Sequence, residues 1–182
     1  MSFKLTYASM FNPPADMHTR FESALAEVKA NLGATYELHI DGKDVPAKAH
    51  DTRKSPIDQR LVTGLFPLAT AEDANNAMAA AYAAAPAWRN TPVAERVRLL
   101  KKVARLIEER LFHISAALTL EVGKNRMEAL GEVQETADFF DLYAEDMEKH
   151  NGFLNPLPDD PLADYRSHNK SVMKPHGVWV VI

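Results

Sequence analysis

Apolar residues recur at spacings of three and four along three stretches of the chain, which is the period of an amphipathic helix. The first stretch, residues 13–32, opens with two prolines and is followed by Gly33, residues that are common at the start and just past the end of a helix. Its apolar stripe consists of Met17, Phe21, Leu25, Val28 and Leu32. The pattern predicts a helix that packs against a core through this stripe.

The second stretch carries the longest stripe and runs from Thr91 to Gly123. Thr91 is predicted to cap this helix, Pro92 to take its first helical position and Gly123 to end it. We expect the helix to be broken near Phe112. The stripe comprises Val93, Val97, Leu100, Val103, Ile107, Leu111, Ile114 and Leu118.

An alanine-rich segment precedes this long helix. Thr70 is predicted to open a helix whose first turn contains Glu72 and Asp73, because acids complement the positive end of the helix dipole. Its body, "NNAMAAAYAAA", is nearly all alanine on one side. Alanine is the best helix former and allows close approach to a neighbour, so we expect a packed helix. Pro86 is expected to end it.

Shorter patterns predict strands and loops. Apolar and polar residues alternate from Tyr36 to Ile40, and Asp41-Gly42 then supplies a turn, which predicts a β-hairpin. Residues 60–68, "RLVTGLFPL", are predicted to form another strand. Residues 151–164 contain three prolines, a glycine and several acids, which is typical of a loop.

The last residues predict two extended segments around Pro175 and Gly177. The first segment is polar on one side, whereas the second, "VWVVI", is continuously apolar. A continuous apolar run is typical of a strand that is covered on both faces, as in a parallel α/β sheet. Such a strand needs neighbours on both edges, so we expect further strands to be required beside it.

Composition narrows the function classes. The 182 residues are 46% apolar and 25% charged with a net charge of -4, which is typical of a globular protein and argues against a nucleic-acid or membrane partner. The absence of cysteine excludes disulfides and a thiol nucleophile within this chain. We find neither a secretory signal nor a run of 18 apolar residues, so the expected location is cytoplasmic.

Two motifs suggest chemistry but have simpler explanations. The stretch "EVGKN" resembles a phosphate loop, yet Leu118 and Asn125 replace the glycine and the hydroxyl residue that such a loop requires. We interpret it as a helix end, with Gly123 past the last turn and Lys124 near the negative pole. The seven histidines lack metal-ligand spacing, so no metal site is predicted.

A further helix is predicted from Arg126 to Lys149, and it carries a row of carboxylates beside aromatic residues. Its apolar side comprises Met127, Leu130, Val133, Ala137, Phe140 and Ala144. Its acids include Glu128, Glu132, Glu135, Asp138 and Asp141. Glu135 lies one turn before Phe139, where a carboxylate can orient a cationic ligand group or a proton. The alternative is that these acids form the solvated face of an amphipathic helix, and spacing alone favours that alternative.

Four segments in this order resemble the N-terminal part of the aldehyde dehydrogenase superfamily. They are "YELHIDGKDV", "SPIDQRLVTGLFPLATAEDANNAMAAA", "AAPAWRNTPVAERVRLLKKVARLIEERLFHISAALTLEVGKNRMEALGEVQETADFF" and "SVMKPHGVWVVI". The resemblance covers about 36–182. Within it, "EVGKNRMEALGEVQETADFF" is most similar to the Δ1-pyrroline-5-carboxylate dehydrogenases, which oxidise glutamate γ-semialdehyde to glutamate in proline catabolism.

The resemblance implies an incomplete α/β fold, made of helices, small β-hairpins, an oligomerisation strand and the first strand of a Rossmann sheet. The implied domains are an N-terminal helical arm (1–35), the helical part of the NAD-binding domain with a small hairpin (36–163), the oligomerisation strand (164–176) and the first strand of a truncated Rossmann sheet (177–182). A homo-oligomer is implied through residues 165–174, which extend a sheet between subunits.

The resemblance also assigns site residues. Glu135 matches the position of a glutamate that lines the substrate entrance in the pyrroline-carboxylate enzymes, and Phe139 and Phe140 are expected to line or support the same tunnel. The catalytic cysteine, the general base, the oxyanion asparagine and the NAD(P) loops of the family all follow the "GVWVVI" strand. We therefore expect no catalytic residue in this chain, no NAD or NADP bound to it alone and no activity of the isolated chain.

The alternative function is an interaction module. An exposed strand at 165–174 and an uncovered "VWVVI" are adhesive surfaces, so the chain is alternatively expected to pair with itself or with a longer relative without catalysis.

Overall fold

The computed structural model describes Thr6 and residues 12–162 and 164–181. One helix, four short strands, four helices and two short strands follow one another in the described residues, close to the order expected from the sequence. The helices of these residues are α1 (Met17–Ala30), α2 (Ala71–Asn90), α3 (Val93–Glu109), α4 (Leu111–Val122) and α5 (Arg126–Lys149). The strands are β1 (Leu38–Ile40), β2 (Lys43–Val45), β3 (His50–Lys54), β4 (Val62–Pro67), β5 (Leu154–Pro156) and β6 (Lys170–Val172).

Four helices form the core. Helix α4 packs against α1 on one side and α5 on the other, and α3 packs along α5. Four residues of helix α1 are buried in the same cluster as residues of α4 and α5. The core cluster comprises Met17, Phe21, Ala24, Val28, Leu111, Phe112, Ala116, Leu120, Leu130 and Val133. The stripes predicted for the helices are therefore largely the buried faces, as the 3.6-residue period requires.

Two arginine side chains lie over aromatic rings at the edges of the interface between α1 and its neighbouring helices. The guanidinium of Arg126, at the start of α5, lies 4.9 Å from the ring centroid of Phe21 and also pairs with Glu22. On the other side, the guanidinium of Arg20 lies 4.2 Å from the ring of Phe112. These cation–π contacts cover the edges of the apolar interface with charged groups that remain near solvent.

The strands form three separate antiparallel hairpins, β1–β2, β3–β4 and β5–β6. The predicted turn at Asp41-Gly42 is confirmed, and both residues have positive φ angles of 53° and 71°. This is the left-handed geometry that a two-residue hairpin turn requires. The strand predicted at 60–68 is confirmed as β4, whereas its partner β3 and the strand β5 were not predicted.

Helix α2 confirms one prediction and corrects three. Thr70 caps it, and Asp73 completes a reciprocal capping box. Pro86 does not end the helix, which continues to Asn90 because only the hydrogen bond of the missing proline N–H is lost. No residue of α2 is buried, so the alanine face is not packed within the described residues. Thr91 does not cap the next helix, because its hydroxyl donates to the carbonyl of Ala87 instead.

The long helix is interrupted at Arg110, two residues before the expected break near Phe112, and continues as α4. Pro92 occupies the N-cap of α3 rather than its first helical position. Gly123 ends α4 in the left-handed conformation with φ of 79°, as predicted. Helix α5 has the predicted bounds, and the side chain of Asn125 caps it by accepting from the N–H groups of its first turn.

The C-terminal part corrects the loop prediction for 151–164. After α5 the chain makes one turn at Asn151–Phe153, forms β5 and returns through β6. Residues 177–181 are in no strand, and all of them except the half-buried Val178 are exposed, with Val181 92% accessible. The prediction that 177–182 is a strand of a parallel sheet therefore stays a prediction, and Ile182 lies outside the described residues. The predicted domain boundaries also stay predictions.

Candidate substrate-facing site on helix α5

Helix α5 has two apolar faces rather than one. The first face is buried against α3 and α4 and comprises Ala129, Leu130, Val133, Ala137 and Ala144. The second face is exposed, although it carries Phe139, Leu142 and Tyr143. An exposed apolar face on a helix that is already well packed is typical of a binding surface.

Glu135 and Phe139 lie on this exposed face, one helical turn apart, as their spacing of four residues predicts. Phe139 is 45% accessible. Phe140 is half-buried and lies on the flank towards the packed side of the helix. The structure thus places Glu135 and Phe139 on one surface and Phe140 beside it, and the role of all three residues in a substrate tunnel stays a prediction.

Tyr143 extends the surface and was not predicted. Its ring stacks on Phe139 with centroids 5.9 Å apart and planes at 14°. The spacing of Glu135, Phe139 and Tyr143 at i, i+4 and i+8 was a usable signal in the sequence. From Glu135 to Tyr143 the surface is about 12 Å long, since a helix rises 1.5 Å per residue.

Glu135 differs from the acids three residues before and after it, Glu132 and Asp138, because its carboxylate has no partner among the described residues. Glu132 pairs with Lys124, and the carboxylate of Asp138 accepts a hydrogen bond of 3.1 Å from the buried amide of Gln134. The charge of Glu135 is therefore available to an external cationic group. This carboxylate beside an aromatic ring can attract an ammonium or iminium group.

The resolved pKa shifts elsewhere have structural causes. Hydrogen bonds from the hydroxyl and then the N–H of Thr70 hold the pKa of Asp73 below its usual range at the start of α2. A hydrogen bond to Glu148 raises the pKa of Lys101, and this pair joins α3 to α5 at 2.9 Å. Both pairs lie at helix surfaces, so neither marks a catalytic acid or base.

A groove of about 580 Å³ between α1 and the α3–α4 junction is the main alternative to the α5 face. Its charges oppose one another, because Arg20 and Arg110 share it with Glu27 and Glu109. His113 also lies 4.0 Å from Glu27. A wide groove with opposing charges is better suited to binding water than to binding one specific ligand. We therefore assign the candidate site to α5.

The "EVGKN" stretch and the start of α5 offer no free group to the phosphates of a dinucleotide. The first backbone N–H groups of α5 already have a hydrogen-bond partner, because Asn125 Oδ1 accepts from the N–H groups of Met127 and Glu128 at 3.0 Å. Lys124 is paired with Glu132, and Gly123 serves as a helix end. We therefore derive no step through NAD, and the prediction that none binds this chain alone stays a prediction.

Neither a cluster of metal ligands nor a membrane-spanning helix occurs in the described part of the chain. Residues 12–162 and 164–181, with Thr6, contain no group of three or more metal-ligating side chains. No helix within the same ranges is long and apolar enough to span a membrane.

Comparison with known proteins identifies the class. The family model described as "Aldehyde dehydrogenase family" matches residues 47–182. The chain therefore belongs to the aldehyde dehydrogenase family. Helix α1 precedes the matched range, although it supplies part of the core.

Within that family, the chain is similar to proteins named 1-pyrroline-5-carboxylate dehydrogenase. The Staphylococcus haemolyticus protein is 32% identical over 164 residues, covering 90% of this chain and 31% of that protein. The second such enzyme of Bacillus subtilis is 34% identical over 163 residues, covering 89% and 30%. The chain thus spans about three-tenths of the length of these curated relatives.

Solved structures agree. A 1-pyrroline-5-carboxylate dehydrogenase from Thermus with bound NAD superposes with a TM-score of 0.73 and 32% identity, covering 76% of this chain and 27% of that one. Proline utilization A of Bdellovibrio bacteriovorus gives a TM-score of 0.75 and 33% identity, covering 82% and 15%. The fold is therefore that of an incomplete aldehyde dehydrogenase.

Proposed function

We propose that the chain is the N-terminal part of an NAD(P)-dependent aldehyde dehydrogenase that oxidises glutamate γ-semialdehyde, which is in equilibrium with pyrroline-5-carboxylate. The observation that carries the proposal is the unpaired carboxylate of Glu135 beside the exposed ring of Phe139. The semialdehyde carries an α-ammonium group, and its cyclic form carries an iminium. Either cation can pair with Glu135, whereas the aliphatic part of the substrate can contact Phe139.

The isolated chain is proposed to be inactive. Aldehyde oxidation in the family uses a thiolate, and these 182 residues contain no cysteine. The 12 Å surface on α5 forms at most one wall of a site, because a small substrate must be enclosed on several sides for efficient chemistry. The opposite walls are proposed to come from the part of the fold that the relatives possess beyond the matched range.

The decisive experiment fuses this chain to the unmatched remainder of the Bacillus subtilis relative. The isolated chain is expected to give no NAD reduction with pyrroline-5-carboxylate, whereas the fusion is expected to give measurable turnover. Turnover by the isolated chain contradicts the proposed inactivity. A folded fusion without turnover contradicts the proposed family role of this segment.

Substrate recognition is tested in the same fusion by Glu135→Ala. We expect kcat/KM for pyrroline-5-carboxylate to fall by about tenfold or more, because a charge-assisted hydrogen bond is lost. Activity with a simple aliphatic aldehyde is expected to change little. Glu145→Ala is the matched control, since Glu145 is an exposed acid of α5 outside the candidate surface. Equal losses on both substrates remove Glu135 from recognition.

A second candidate function has its own observation. The β5–β6 hairpin is exposed, and the side chains of Val172 and Met173 are 45% and 70% accessible. We propose that residues 165–174 pair with another copy of the chain through the free edge of β6. Size-exclusion chromatography across a hundredfold concentration range is expected to show a dimer or larger species. A monomer at every concentration contradicts this proposal.

A further inference from the structure

The chain between α5 and β5 makes one turn in the left-handed region of backbone conformation. Asn151, Gly152 and Phe153 have successive φ angles of 49°, 68° and 60°. Residues with a Cβ normally enter this region singly, because the Cβ approaches the following carbonyl oxygen. Phe153 is a bulky residue in this region, so the turn is strained and needs surrounding contacts to persist.

Contacts with the end of α5 hold one side of this left-handed turn. The ring of Phe153 stacks on His150 with centroids 5.5 Å apart and planes at 20°. The N–H of Phe153 donates to the carbonyl of His150 at 2.9 Å. His150 in turn pairs with Asp146 one helical turn earlier, at 3.2 Å.

Close packing against α3 holds the other side. A Cβ placed on Gly152 lies 2.5 Å from Cγ2 of Val93, the first residue of α3. That separation is shorter than carbon atoms tolerate, so only glycine fits while the turn stays against α3. The position of the turn is thus defined by two helices rather than by the hairpin that follows it.

Among the described residues, one hydrogen bond connects the returning strand to the turn. The N–H of Met173 donates to the carbonyl of Phe153 at 3.2 Å. At the far end of the same hairpin, the N–H of Leu157 donates to the carbonyl of Asn169 at 2.9 Å. The Met173 amide therefore reports whether the hairpin is attached to the turn, whereas the Leu157 amide reports whether the two strands are paired.

We propose that the left-handed turn is a strained hinge with a docked and a released state. In the docked state the turn lies against Val93 and His150, and Met173 bonds to Phe153. In the released state the strained residues relax, the Met173 bond breaks, and the β5–β6 hairpin moves as a unit. The hinge sets the direction in which the edge of β6 is presented, whatever that edge binds.

Amide hydrogen exchange of the 182-residue chain, followed residue by residue by NMR, tests the hinge. Met173 is expected to exchange faster than Leu157, because release opens the attachment and preserves the hairpin. Gly152→Ala is expected to accelerate exchange at Met173 by about tenfold or more, since alanine is strained at this φ and contacts Val93. Adding Val93→Ala to Gly152→Ala is expected to recover part of the protection, because it removes the contacting methyl group.

Asn151→Gly gives the opposite change. Glycine enters the left-handed region without penalty, so exchange at Met173 is expected to slow by about threefold. Gly33→Ala is the matched control, because Gly33 also has a positive φ of 80° but an added Cβ there meets nothing within 4 Å. It is expected to leave Met173 unchanged.

Two results overturn the hinge. If the exchange rates of the Met173 and Leu157 amides change by the same factor in every variant, the hairpin unfolds and does not move as a unit. If Gly152→Ala leaves Met173 unchanged while the variant remains folded by circular dichroism, the turn does not control the attachment.

Discussion

Replacing Phe21 by alanine tests whether α1 is part of the core. The side chain is 1% accessible and contacts α4 and α5 within the main cluster. Burying a phenylalanine side chain contributes about 1.5–3 kcal/mol of transfer free energy. The cavity left by truncation adds to that value, so Phe21→Ala is expected to lower the free energy of unfolding by about 3–5 kcal/mol.

Part of this loss comes from Arg126. Its guanidinium lies 4.9 Å from the Phe21 ring, a contact worth about 0.5–1 kcal/mol where solvent has access. Arg126→Gln keeps the Cβ–Cδ part of the side chain while removing the guanidinium and its charge. It is therefore expected to destabilise the chain by about 1 kcal/mol, clearly less than Phe21→Ala.

Urea unfolding monitored by circular dichroism measures both changes. The midpoint is expected to fall with an unchanged m-value, which indicates lost stability rather than altered compactness. Tyr82→Ala is the control, because Tyr82 is 61% accessible on α2 and is expected to change stability by less than about 0.5 kcal/mol. A loss below about 1 kcal/mol for Phe21→Ala refutes the reasoning, because α1 is then not packed into the core.

Two further substitutions and one titration test local structure. Gly123→Ala is expected to cost about 1–2 kcal/mol from the left-handed φ alone. It is expected to cost more than Gly33→Ala, because an added Cβ at Gly123 lies 3.3 Å from Cγ of Pro56; equal losses of Tm contradict that packing. Thr70→Ala is expected to destabilise α2 by about 1 kcal/mol, seen as faster amide exchange in its first turns. Because the pKa of Asp73 is lowered in the folded state, its stabilisation of α2 is present above about pH 4 and lost as the pH falls further. Asp73→Asn is expected to remove that pH dependence, and a persistent dependence contradicts the capping box.

Features that depend on neighbouring residues in the sequence were predictable. The Asp41-Gly42 turn, the Thr70 cap and the Gly123 helix end follow from backbone preferences of single residues. The bounds of α5 were predicted because Gly123 and the polar residues after it separate two helices. Local chemistry decides these features, and no distant contact overrides it.

Features that depend on distant partners were not predictable. Strand β3, His50–Lys54, is polar throughout, and only its pairing with β4 makes it a strand. Strand β5 ends at Pro156 in a proline-rich segment and is likewise defined by its partner β6. Helix α2 was predicted correctly from its high helix propensity, but the packing of its alanine face was not. Helix propensity does not determine whether another element covers that face.

The candidate site was predictable in part. The spacing of Glu135 and Phe139 placed them on one face, and the resemblance gave that face a role. The lack of a partner for Glu135 depends on where Lys124 and Gln134 direct their side chains, which no periodicity encodes. Tyr143 continues the same spacing, but its stacking on Phe139 depends on the rotamers of both rings, which the sequence does not encode.

The most direct test of the central claim is a crystal structure of the fusion with the Bacillus subtilis remainder, bound to the product glutamate. The account predicts that the ammonium of glutamate lies about 2.7–3.2 Å from a carboxylate oxygen of Glu135, with its methylene groups against Phe139. A glutamate bound in the active site with its ammonium more than about 6 Å from Glu135 contradicts the account.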